Sequence, residues 1–315
     1  VKRHVLGLWP TPLQRLTALE AVLRCGPLYL KRDDLTGFGL AGNKTRACEY
    51  LVGDAVAAGA DVLVTGGAPG SNFVGAAALA ARVGGLDCEV LVSGAAPDRL
   101  PVTLELARRA GATLRFTGAG REELDRLVSS HADLLRDAGR VPYPVPRGGA
   151  TAVGALGFAT AASELAGQLP DDDAVVVLPT GSGASLAGFL AGRSMIGARW
   201  TTYGVSVSRP TADLLPHVLE LAGRCAALLG AAPPDRADVR LTDAVGRGFG
   251  RVTEEDRRNV LLALRTEGLL FDSTYGAKAI TAVLGLAEPG RTLVLWHTGG
   301  MPGALKLLAD PGADR

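Results

Sequence analysis

The chain has 315 residues, enough for a large core and a length prior of about two lobes of roughly 150 residues each. Its 33 basic residues face 32 acidic ones, a net charge of +1, which leaves no electrostatic footprint for a nucleic acid or an anionic membrane as partner. Cys25, Cys48, Cys88 and Cys225 fall in no pair or metal-ligand spacing, the N-terminus has no apolar signal core and no hydrophobic run could cross a bilayer; the expectation is a cytoplasmic protein with buried, reduced thiols and no metal.

Near the N-terminus the run Gly-Leu-Ala-Gly-Asn-Lys-Thr-Arg joins a polar strand end to an amphipathic helix. It places Lys44, one of only five lysines against 28 arginines, where the helix begins. Lysine can lose its proton and attack a carbonyl, and a helix N-terminus disfavours a cation by about 0.3 to 1 kcal/mol, which favours the neutral amine. Lys44 is therefore either an exposed loop lysine or a Schiff-base lysine.

Short β-rich runs then alternate with helical patterns: strand 61–64 and helix 71–81, strand 88–92 and helix 99–110, strand 113–116 and helix 122–138. This is the pattern of parallel βαβ units. The first of these junctions, Thr65-Gly-Gly-Ala-Pro-Gly-Ser-Asn-Phe, offers free N–H groups and the Ser71 hydroxyl to an anion such as a carboxylate, or else Ser71 or Asn72 is only an N-cap. A glycine-rich joint at 147–151 reads as a hinge between lobes, followed by a helix over 155–169. No repeat or low-complexity segment interrupts the alternation.

Beyond the joint, a strand from Ala174 ends in Pro179-Thr-Gly-Ser-Gly-Ala-Ser, and a helix starts at Ser185. Small residues there let the backbone wrap a phosphate, with Thr180, Ser182 and Ser185 as hydroxyl donors. No lysine follows the last glycine as a nucleotide P-loop requires, Leu186 stands where the dinucleotide pattern needs Gly or Ala, and no serine satisfies Gly-x-Ser-x-Gly. A strand from Thr201 leads to a helix from Thr211. The last strand, 291–297, is buried in character and runs into His297-Thr-Gly-Gly-Met-Pro-Gly, downstream of Asp272-Ser-Thr-Tyr-Gly-Ala-Lys. His297 reads as a satisfied core histidine rather than a catalyst, since no acid is paired with it in the sequence.

From about Leu8 to Pro302, these stretches resemble, in order, the pyridoxal-phosphate enzymes of the D-cysteine desulfhydrase and 1-aminocyclopropane-1-carboxylate deaminase family. The resemblance implies an α/β fold of two domains, pyridoxal-phosphate fold type II, each an open, mostly parallel sheet flanked by helices. The large cofactor-binding domain would comprise 1–45 and 153–315, and the small one 46–152. It also implies that Lys44 holds pyridoxal 5′-phosphate as a Schiff base and that Thr180, Gly181, Ser182, Gly183, Ala184 and Ser185 bind its phosphate. Asn72 would contact the ring or the substrate carboxylate, with Ser71 a proton relay or nucleophile, Tyr275 an active-site tyrosine and Thr298 opposite the pyridine nitrogen. Gly70, Ser71, Asn72, Phe73 and Phe249 would border the substrate.

The implied activity is β-elimination or deamination of a small, D-cysteine-like amino acid to a keto acid and ammonia, in a homodimer. A 1-aminocyclopropane-1-carboxylate-type deaminase or a β-replacement synthase uses the same scaffold; a metabolite-binding protein without activity is a separate class. Threonine at 298, as in the desulfhydrases, cannot hold a proton on the ring nitrogen as a carboxylate would. The family run Asn-Lys-x-Arg-Lys ends here in Ala47, the usual Gln-Ser-Asn-His or Gln-Ser-Asn-Gln is Gly70-Ser71-Asn72-Phe73, and a family tyrosine is Phe249. Those departures predict a more apolar pocket with fewer proton donors.

Overall fold

The computed structural model describes residues 1–170, 173–246 and 248–309. In chain order the elements are β1 (Leu13–Arg15), α1 (Thr17–Leu23), β2 (Leu28–Arg32), α2 (Lys44–Ala57), β3 (Val62–Gly67), α3 (Asn72–Val83), β4 (Asp87–Val92), α4 (Val102–Arg109), β5 (Thr113–Phe116), α5 (Leu124–Asp137) and β6 (Pro142–Val145). There follow α6 (Ala152–Ala166), β7 (Val175–Thr180), α7 (Ala184–Ile196), β8 (Thr201–Ser206), α8 (Thr211–Leu229), β9 (Val239–Asp243), α9 (Glu254–Glu267), α10 (Gly276–Leu286), β10 (Leu293–His297) and α11 (Met301–Leu308).

Two sheets organise them. One has the order β5-β4-β3-β6 with every pair parallel. The other has the order β1-β2-β10-β7-β8-β9, parallel except for the short antiparallel edge strand β1. The chain is thus α/β with two mostly parallel sheets, as the sequence predicts.

The larger sheet shows why its central strands read as continuous apolar runs. Along β10, Val294 and Trp296 enter one core with Phe158 and Phe189, while Leu293 and Leu295 enter the core on the opposite face with Leu30 and Ile280. Both faces are covered, so every position from Leu293 to Trp296 is apolar. The smaller sheet packs α2, α3 and α4 around Leu51, Phe73, Val90 and Leu104.

Several helix limits move from their predicted positions for local reasons. α4 begins at Val102 and not at 99, because Pro101 stands at its N-cap and disfavours helical backbone in the residue before it. α6 begins at Ala152 and not at 155, because the Thr151 hydroxyl accepts the Gly154 N–H at 3.0 Å and caps it. The joint before it is a tight turn with Gly148 and Gly149 both at φ 71°. Of the four cysteines, Cys48, Cys88 and Cys225 are buried as expected, but Cys25, in the turn after α1, is only half-buried. All four are free thiols.

Candidate active site

A cavity of about 380 Å³ is lined from both sheets. Its walls come from segments at or just past the carboxyl ends of parallel strands: Gly67 to Phe73 from the end of β3, Arg121 after β5, Arg147 after β6, Thr180 to Ser185 from the end of β7, Arg209 after β8 and Thr298 after β10. That is where open parallel α/β sheets place their ligands.

Lys44 is the first residue of α2 and opens onto this cavity. The turn before it is pressed against the end of β10. Gly42 has φ 56°, a β-carbon there would lie 2.3 Å from the Thr298 carbonyl oxygen, and the Asn43 N–H donates to that oxygen at 3.1 Å. Only glycine permits both the left-handed backbone and the close approach. Lys44 and Thr298 therefore share the cavity by construction. Burial, opposed by the Cys48 sulfur, pushes the Lys44 amine below the ordinary lysine range. The helix start acts in the same direction, but burial is the stronger cause.

Two residues further on, Arg46 is 2 % exposed and locks the helix in place. Its guanidinium donates to both Asp33 oxygens at 2.7 and 2.8 Å and to Glu164 at 2.9 Å. Lys31 also pairs with Glu164, and the Trp296 indole donates to Asp33 at 2.8 Å. Two buried cations thus meet the buried Asp33 and the part-buried Glu164, tying α2 to the end of β2 and to α6.

Ser71 occupies the N-cap of α3 with extended backbone, yet its hydroxyl makes no capping hydrogen bond. The hydroxyl is left facing the cavity, alongside Asn72 and the exposed backbone of Gly70. Phe73 turns differently: it is 2 % exposed and packs in the small-sheet core over Gly149, so only its edge reaches the cavity wall.

The loop after β7 is anchored from outside. Ser208 Oγ donates to the Gly181 carbonyl at 3.1 Å, and His217 Nε2 lies 3.1 Å from the Ser182 carbonyl. Asn43 Nδ2 donates to Ser185 Oγ at 3.3 Å. Gly183 has φ 97°, a backbone only glycine adopts without strain, and it turns the chain into α7. Thr180 donates its hydroxyl to the Leu178 carbonyl, and Ala184 points its methyl group into the core, so neither side chain faces the cavity.

Tyr275 stands over this loop: a β-carbon at Gly181 would lie 3.1 Å from its phenol oxygen. Burial raises that phenol to about 12, so it is protonated at neutral pH and has a proton to donate. Asp272 places it, accepting the N–H groups of Thr274, Tyr275 and Gly276 at 2.9, 3.0 and 2.8 Å. His297 is the satisfied core histidine the sequence suggests. Its Nε2 lies 2.9 Å from the Leu270 carbonyl, Gly299 N–H donates to Nδ1 at 3.2 Å, and burial keeps the ring below the ordinary histidine range.

The sequence profile of the pyridoxal-phosphate dependent enzymes matches residues 5–299. The chain belongs to that family. It is 34 % identical, over 96 % of its own length and 92 % of the relative's, to a provisionally named 1-aminocyclopropane-1-carboxylate deaminase of Pyrococcus abyssi. It is equally 34 % identical, over 93 % and 92 %, to a D-cysteine desulfhydrase of Klebsiella pneumoniae. The crystal structure of a 1-aminocyclopropane-1-carboxylate deaminase homologue superposes with a TM-score of 0.90, at 34 % identity, over 98 % of this chain and 96 % of the other. The enzyme is a pyridoxal-phosphate-dependent lyase of fold type II, and deamination and desulfhydration are the reactions for which these relatives are named.

The cavity fits the cofactor on its own terms. The N–H groups of Gly183, Ala184 and Ser185 carry no hydrogen bond among the described residues, which is the vacancy a phosphate fills at a helix N-terminus. The half-buried Lys44 amine is in reach of the same space.

The expectation of an apolar pocket is corrected here. Phe249 is 42 % exposed at the cavity wall. Arg121, Asp125, Arg147, Arg209 and His217, none of which stood out in the sequence, line the cavity as well. Asn43 and Asp272 line it too, although nothing in the sequence marks either as a site residue. The signal that could have found the arginines is their position two to five residues past a parallel strand.

Proposed function

We propose that the enzyme catalyses β-elimination from a small amino acid, with D-cysteine as the model substrate, to give a keto acid and ammonia with one water consumed. The observation that carries this reading is the single cavity lined at once by Lys44, the 181–185 turn, Ser71, Tyr275 and Thr298. When bound, the cofactor withdraws electron density from Cα and makes its proton removable. Lys44 would hold the cofactor, and its lowered amine pKa suits it to take the Cα proton. The unpaired N–H groups at the start of α3, with Ser71 and Asn72, would hold the substrate carboxylate. The protonated Tyr275 phenol would donate toward the departing β-substituent. Thr180 to Ser185 would hold the phosphate, Thr180 and Ala184 through backbone only. Thr298 would present a hydroxyl to the ring nitrogen, since both oxygens of Asp272 are spent on backbone N–H groups.

Gly70 and Phe249 would border the substrate, and Phe73 would support that border from the core. We also propose the division into 1–45 with 153–315 and 46–152, which keeps β3 to β6 in one unit and the remaining strands in the other. A cytoplasmic homodimer completes the reading; the four free thiols suit a reducing compartment.

The test is a panel of D- and L-amino acids with 1-aminocyclopropane-1-carboxylate, following keto-acid release and the cofactor spectrum. Keto acid from D-cysteine or β-chloroalanine is the expected result; release from the cyclopropane alone would favour ring opening instead. In Ser71→Ala and Tyr275→Phe, cofactor content is expected to stay while turnover drops about 10²-fold, the scale of a positioned acid or base. Unchanged turnover in both variants would remove these two residues from the mechanism.

A further inference from the structure

Arg121, Arg147 and Arg209 reach the cavity from three separate strand ends and are accompanied by the carboxylate of Asp125. Three guanidinium groups against one carboxylate leave two positive charges in excess. Asp125 is spent on Arg147, accepting from Nε at 3.0 Å, Nη2 at 2.8 Å and the backbone N–H at 2.8 Å. Arg121 lies over the Phe249 ring at 4.6 Å, and that ring meets Tyr275 edge-on at 6.1 Å. The Arg209 guanidinium has no hydrogen bond or ion pair among the described residues. Burial, then the nearby Arg147 and Arg121, lower its pKa against the weaker opposing pull of Asp125 and Asp213, so the cations outweigh the carboxylates around it.

Neither anion already assigned uses this cluster. The phosphate has the turn before α7, and the α-carboxylate has the start of α3. We propose that Arg209 and Arg121, with Arg147 beside them, bind a second anionic group carried on the β-carbon of the substrate. The preferred amino acids then end in a sulfonate or phosphate ester, and a β-carboxylate analogue binds without reacting. Elimination from a β-sulfonate breaks the C–S bond: sulfite leaves with the bonding pair, Lys44 takes the Cα proton, and water completes the keto acid and ammonium. A β-phosphate ester loses phosphate in the same way, whereas a β-carboxylate has no leaving group. The inference rests on the proposed amino-acid site, and its arms separate the two.

Binding is read by calorimetry on the holoenzyme with D- and L-aspartate against D- and L-asparagine, which differ only in the charge of the β-group. Aspartate is expected to bind about tenfold or more tightly, the scale of one charge-assisted hydrogen bond. Arg209→Met should erase that preference and Arg209→Lys should restore part of it. Equal binding of aspartate and asparagine by the unaltered enzyme overturns the proposal, as does an Arg209→Met enzyme whose preference persists or whose main defect is looser cofactor binding. Keto-acid release from cysteate and O-phosphoserine is compared separately with that from cysteine and serine. Release from the neutral pair alone, without an aspartate preference, keeps the elimination reading and ends this one. An aspartate preference without keto acid from any amino acid does the reverse.

Discussion

Lys44→Met is expected to abolish the visible band of the bound cofactor and to lower turnover by about 10³-fold or more, since one amine both anchors the cofactor and moves the proton. Borohydride treatment of the unaltered enzyme should leave an adduct on the peptide containing Lys44, and on no equivalent peptide of the variant. The same substitution should stabilise the cofactor-free protein. Burial lowers the folded amine pKa below its unfolded value of about 10.4. As pH falls through the interval between those two values, the unfolded chain takes up a proton that the folded one resists, so stability drops; below the folded value the loss is constant. At pH 7 the cofactor-free variant should therefore outlast the cofactor-free parent in urea, with the gap narrowing as pH approaches 10. A gap equal at both pH values would mean that the buried amine is not its source. The function of Lys44 is thus expected to come at a cost in stability that the bound cofactor offsets.

What the sequence revealed of this site depended on how contiguous each part is. The 181–185 turn, the Ser71 turn and the Lys44 turn are each one continuous segment, so their glycines and hydroxyls read directly as loop chemistry. The direction of each side chain did not: Ala184 and Phe73 lie in motifs that border the cavity, yet both face the core. The arginines were invisible for another reason. They follow β5, β6 and β8, far apart in the chain, and become a cluster only where the ends of strands from both sheets line one cavity. Strands with both faces covered, such as β7 and β10, were legible as apolar runs. β6, with Pro142 and Pro144, gave no strand pattern because it is an edge strand bonded only to β3. β9 is largely exposed and β1 has three residues, too short for any period.

Arg46→Met is expected to destabilise the enzyme by about 3–5 kcal/mol, the scale of breaking a buried ion pair from one side. The guanidinium answers two carboxylates, and Lys31 alone would then face both Asp33 and Glu164. Methionine fills the volume but donates nothing, so the loss is electrostatic rather than a cavity. Arg46→Lys should recover only part of it, because an ammonium cannot reproduce the fork on Asp33 while reaching Glu164. The pH dependence identifies the cause. Burial works against the Glu164 carboxylate, yet Arg46 and Lys31 together hold its pKa below the ordinary range. The stability it contributes is present above the unfolded carboxylate value and is lost as pH falls through the folded one. The urea midpoints of parent and variant should therefore converge in acid and stand apart at pH 7. Midpoints that differ equally at all pH values would point to packing against Trp9, which the guanidinium covers at 4.1 Å, rather than to charge. Since Arg46 sits two residues beyond Lys44 on α2, the variant should also release its cofactor more readily. A destabilised variant with unaltered cofactor retention would show that the Gly42 contact with Thr298 alone sets the position of the amine.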